Sequence, residues 1–150
     1  MKYLMLIVFA MSSLLYSCSD DSTSSSPSDL KDGIIGTWNV KRTLSSRSSQ
    51  FPNGYSDYQV WSFQKSGDNV VLSTNAGSVN GQWKSTQTWA ANHWVFETTV
   101  YSPEMMSNYK VLVEIIGVSP LKGTNETYYQ DPSSGIWFLL DAFKIEGTKQ

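Results

Sequence analysis

Gly33-Ile34-Ile35-Gly36-Thr37-Trp38-Asn39-Val40-Lys41-Arg42-Thr43-Leu44 is the stretch whose reading decides the fold. Ile34, Gly36, Trp38, Val40 and Leu44 share one parity, and Thr37, Asn39, Lys41 and Thr43 hold the other. Apolar and polar positions alternating with a period of two predict a strand with one dry face, with Gly36 and Trp38 inward. Just ahead of it, residues 29–33 predict a short helical turn ended by glycine.

Working outward, residues 45–55 form a polar loop whose tip, Phe51-Pro52-Asn53-Gly54, carries a strong turn signal. Loops of this length in a small domain are more often functional than idle. A second strand is expected over 58–64, with Trp61 and Phe63 on one face, and a third over 69–74 after the turn at Ser66-Gly67-Asp68. A fourth, over 78–88, carries Val79, Gly81 and Trp83 on one face, and Trp89-Ala90-Ala91-Asn92 reads as a turn. Strands follow over 93–101, 109–118, 126–130 and 136–146, with Pro120 and Gly123 read as a break and Asp141 as the mark of a bulge. In these last strands apolar residues occupy both faces, so the inward parity from His93 onward stays open. Eight strands, or nine, joined by hairpins and without a helix of normal length predict a single all-β, antiparallel up-and-down barrel. Closure into a barrel would also remove the exposed edges on which so aromatic a chain would aggregate.

Composition agrees and narrows the function classes. The 150 residues suit one domain. Six Trp and eight Tyr favour a strand-rich fold or a surface that stacks on ligands. A net charge of −2 with no basic cluster argues against a nucleic-acid partner. One Cys and one His leave no intramolecular disulfide and little material for a metal centre or a triad. His93 is expected at a strand edge; Glu97, Glu114 and Asp141 are isolated acids, and nothing pairs them for acid/base work. No cofactor and no enzymatic activity are expected, and the domain is expected to be a monomer.

The N-terminus predicts an address. Met1-Lys2 followed by a mostly apolar run to Tyr16 reads as a secretory signal peptide, residues 1–17. Leu15-Tyr16-Ser17-Cys18 resembles the lipobox of bacterial lipoproteins, which implies a lipidated Cys18 as the mature N-terminus and attachment to the outer membrane, on its periplasmic or cell-surface face. Residues 18–28 then hold this Cys and a Ser- and Asp-rich tether with no apolar residue to join a core, leaving 29–150 as the barrel domain. Asp20-Asp21 resembles an acidic export signal of surface lipoproteins in one group of Gram-negative bacteria, and Asp21-Ser22-Thr23 a three-residue O-glycosylation signal of the same group.

Gly36-Thr37-Trp38, the long loop after it, Trp61-Ser62-Phe63-Gln64-Lys65-Ser66-Gly67-Asp68 and Gly81-Gln82-Trp83-Lys84 together resemble the lipocalin-like domains of bacterial lipoproteins, within the calycin group. The resemblance is loose over 33–146 and better over 33–85. It implies a barrel with one open end that holds a small, usually apolar ligand. On that expectation Phe51, Tyr55, Trp61, Phe63 and Trp83 are the candidate ligand residues, with Met105-Met106 facing the loop across the rim. The alternative is a filled barrel that serves as a surface-interaction or carbohydrate-contacting module. The two separate on whether Trp61, Phe63 and Trp83 surround a void or touch.

Overall fold

The computed structural model describes residues 27–45, 53–84 and 93–150. The signal peptide, Cys18, the tether residues before 27, Phe51 and the expected turn at 89–92 lie outside the described residues. A short helix, α1 (Pro27–Gly33), precedes eight strands: β1 (Gly36–Leu44), β2 (Ser56–Ser66), β3 (Asn69–Thr74), β4 (Gly77–Lys84), β5 (His93–Ser102), β6 (Ser107–Val118), β7 (Leu121–Gln130) and β8 (Trp137–Lys149). Each strand pairs antiparallel with the next, and β8 returns to β1, so the sheet closes as an up-and-down barrel. The all-β antiparallel up-and-down barrel expected from eight or nine hairpin-linked strands is the fold observed, with eight strands among the described residues.

Registers set the inward parity throughout. Trp38 pairs with Trp61 and Val40 with Gln59; Phe63 pairs with Leu72, and Gly81 with Phe96. Phe96 pairs with Val113, Val113 with Asn125, and Asn125 with Phe143. Even positions of β5 and odd positions of β6 and β7 therefore face inward, which resolves the parity that the sequence left open. Two bulges intervene. Ile116 has no partner in β7, and Leu140 is the extra residue beside Asp141, one position from the expected mark.

Several strands run longer than expected. β2 begins at Ser56 rather than 58 and ends at Ser66 rather than 64, β6 begins at Ser107 rather than 109, and β8 continues to Lys149 rather than 146. β7 begins at Leu121, running straight through Gly123. Gly123 is no break: it sits opposite Ile115, where a Cβ would fall 1.9 Å from the carbonyl oxygen of Glu114. Only a residue without a side chain lets the two strands approach so closely there.

The buried core occupies the α1 end of the barrel. Trp38, Trp61, Phe63, Leu72, Phe96 and Ile115 fill it, and Leu30 and Ile34 press on it from α1 and the residue after it. Trp38 donates its indole N–H to the carbonyl of Ile34 (2.9 Å), and Lys149 reaches the carbonyl of Gly33 (3.2 Å). These bonds hold the chain that leaves α1 across one end of the barrel. The β1–β2 connection and the turns after β3, β5 and β7 all lie at the other, distal end.

Candidate functional site

Midway along the barrel the interior changes from apolar to polar. Arg42 and Asp57 pair across β1 and β2 on the inward face. The guanidinium donates from Nε to Oδ1 of Asp57 (2.9 Å) and from Nη2 to Oδ2, and from Nη1 to Oδ1 of Asn125 on β7 (3.0 Å). Gln59 extends the chain of bonds: its amide N–H faces Asp57 Oδ2 (3.4 Å), and its oxygen accepts from Trp61 Nε1 (2.8 Å). The hydrogen bonds from Arg42, joined by its charge, hold the Asp57 carboxyl below its ordinary range against the opposing effect of burial. Arg42 also lies over the ring of Phe143, 4.7 Å from its centroid. This network forms a floor above the aromatic core.

Beyond the floor the inward positions carry large side chains with no core to fill. Tyr55 meets the edge of Phe143 at 6.2 Å, and Tyr109 meets Tyr129 at 5.8 Å between ring centroids. Val100, opposite Tyr109, is 58% exposed, and Phe138, opposite Tyr129, is 51% exposed. Met105 and Met106, in the turn after β5, are exposed at the same end. Tyr128 points outward instead. Its hydroxyl donates to Glu126, which pushes its pKa up to about 12.

The candidate residues are thus divided among three places. Tyr55 stands at the distal end, where the loop reading put it. Trp61 and Phe63 are buried in the core and touch each other (6.3 Å), and Phe63 also packs on Phe96 (5.5 Å), so they fill the barrel rather than surround a void, and they are not ligand residues; any ligand would have to sit beyond them, at the distal end. Trp83 lies at the α1 end, edge-on to Trp94 at 5.2 Å, beside a cavity of about 300 Å³. Glu97 is exposed opposite Leu112, and His93 pairs with Lys84 at the start of β5.

The reading of the sequence missed Arg42 and Asp57. Arg42 shares its parity with Trp38 and Val40, and Asp57 with Trp61 and Phe63. An opposite-charge pair at inward parity on two adjacent strands was the available signal. Fold and geometry together define an up-and-down β-barrel protein, packed at one end and lined at the other by exposed apolar side chains on inward positions. No family model, no curated protein and no solved structure matches the chain.

Proposed function

We propose that the protein is a lipid-anchored envelope lipoprotein, lipocalin-like in architecture, that takes a small apolar ligand into the distal mouth of its barrel. The observation that carries the reading is the exposure of Val100 and Phe138 at inward positions above the Arg42–Asp57–Asn125 floor. Apolar surface on an inward barrel position has no packing role unless something covers it. Because Arg42 already has its partners in Asp57 and Asn125, the floor offers a ligand a closed polar network rather than a free charge. Tyr55 and Phe143 supply aromatic edges at the rim. The lipobox-like ending at Cys18 supports the anchor.

Mass spectrometry of small molecules carried through purification from membranes tests this. The wild-type protein should retain an apolar compound, and Val100→Asp or Phe138→Ser should lose it. Both sites are exposed, so neither change should disturb the core. An empty wild-type protein, or retention untouched by both substitutions, would sink the cavity reading.

A further inference from the structure

We propose that the guest of the mouth is a cationic amphiphile, an apolar body bearing a protonated amine, and that Asp141 receives the amine. The inference rests on the reading of the mouth as a ligand site and adds the charge of the ligand.

Three inward rows climb from the floor along β7 and β8: Asn125 with Phe143, Thr127 with Asp141, and Tyr129 with Phe138. Asn125 and Phe143 are buried and Phe138 is exposed, so the Asp141 row lies between the packed interior and the open rim. In an unbroken strand, positions three apart face opposite ways. The bulge at Leu140 is what puts Asp141 and Phe138 on the same wall. Carboxylate and apolar ring are thereby brought to neighbouring rows of one surface.

Asp141 is partly exposed and has neither a hydrogen bond nor an ion pair among the described residues. The other inward charges beyond the core, Arg42 and Asp57, are paired with each other in the floor. One guanidinium against two carboxylates leaves the mouth with an excess negative charge, and that charge is at Asp141. At the rim, Glu104 and Asp131 in the turns after β5 and β7 add to it. Lys110 does not offset it from within, because it shares the outward parity of Tyr128 and lies over the rings of Tyr128 and Trp137. An anionic guest is repelled here. A neutral apolar guest would cover the carboxylate and leave it without a counter-charge, which is costly. An amine supplies that counter-charge, and the aromatic rings of the next row, Tyr129 and Phe138, suit a cation as well as an apolar body.

The carboxylate is also within reach. In a ring of eight strands β4 stands opposite β8. β3 and β4 have six and eight residues against thirteen in β8. Residues 56–61 of β2 and 97–102 of β5 have no partner on the side of β3 and β4. The wall facing Asp141 is therefore low, and a guest can approach from that side while its body lies against Phe138 and Val100.

The test is a calorimetric titration of the full chain in a neutral detergent with phenylbutylamine, phenylbutanol and phenylbutyrate, which share an apolar body and differ in head group. The amine should bind most tightly and the carboxylate most weakly. Asp141→Asn keeps the shape and removes the charge. It should weaken the amine about tenfold to a hundredfold, the range for a hydrogen bond to a charged group, and leave the alcohol unchanged, which also reports an intact fold. Asp141→Lys should reverse the order of amine and carboxylate, and Phe138→Ser should weaken all three. The proposal is overturned, with the mouth reading intact, if the alcohol binds as tightly as the amine, or if Asp141→Asn spares the amine or weakens amine and alcohol alike while Phe138→Ser weakens all three. If none of the three binds, or if Phe138→Ser changes nothing, the mouth reading falls and this proposal with it.

Discussion

Asp57 receives a hydrogen bond from Arg42 on each carboxylate oxygen, and that geometry makes the floor of the mouth sensitive to acid. The folded-state pKa of Asp57 is lowered, chiefly by these bonds. A lowered carboxyl pKa contributes stability that is present above the unfolded value, near 3.8, and is lost as pH falls through the folded value. Asp57→Asn should therefore cost about 1–3 kcal/mol near pH 7, the range for a hydrogen-bonded charged group. The gap between variant and wild type should narrow below about pH 4. Urea melts at both pH values check this, and a gap that stays constant would show that the charge of Asp57 is not what matters. Arg42 was hard to read in advance because the rule that fills inward positions with apolar residues has one exception: a charge satisfied by partners on other strands. Those partners, at positions 57 and 125, are distant in sequence and adjacent only after closure.

At the scale of elements, α1 is only seven residues long, too short to persist alone, and owes its place to what it covers. Leu30 is buried within the core cluster, and a Cβ on Gly33 would lie 2.6 Å from a methyl of Val118 on β6. Leu30→Ala should cost about 2–5 kcal/mol, as for other buried leucines, and should raise solvent access to Trp38. Chemical denaturation with acrylamide quenching of the native state reads both effects, and an unchanged midpoint would demote α1 to a passive flank. The short turn before β1 was legible from a glycine stop, and β1 from clean alternation. The strands after His93 were not, because Leu112, Tyr128 and Leu139 on outward positions are as apolar as Val113, Tyr129 and Phe143 on inward ones. The bulge at Leu140 then reverses parity within β8, and one extra residue is enough to move every later side chain to the other face.

For the whole molecule, the position of α1 relates the proposed anchor to the proposed mouth site. Cys18 and Pro27 are nine positions apart, and nine residues of any conformation span at most about 32 Å. α1 is at the packed end, so the proposed lipid on Cys18 would attach to the end of the barrel opposite the mouth at Val100 and Phe138. On the proposed anchoring, the lipid and not the apolar mouth would hold the protein to the membrane. Cys18→Ser should move the protein from the membrane fraction to the soluble one and abolish labelling by a palmitate analogue, because several acyl chains contribute ~0.8 kcal/mol per buried methylene and a single Ser contributes none. Val100→Asp combined with Phe138→Ser should leave the membrane fraction unchanged. If instead the Cys18→Ser protein stayed on membranes and only the mouth substitutions released it, the exposed apolar rim would itself be the membrane contact, and the barrel would sit with its mouth toward the lipid.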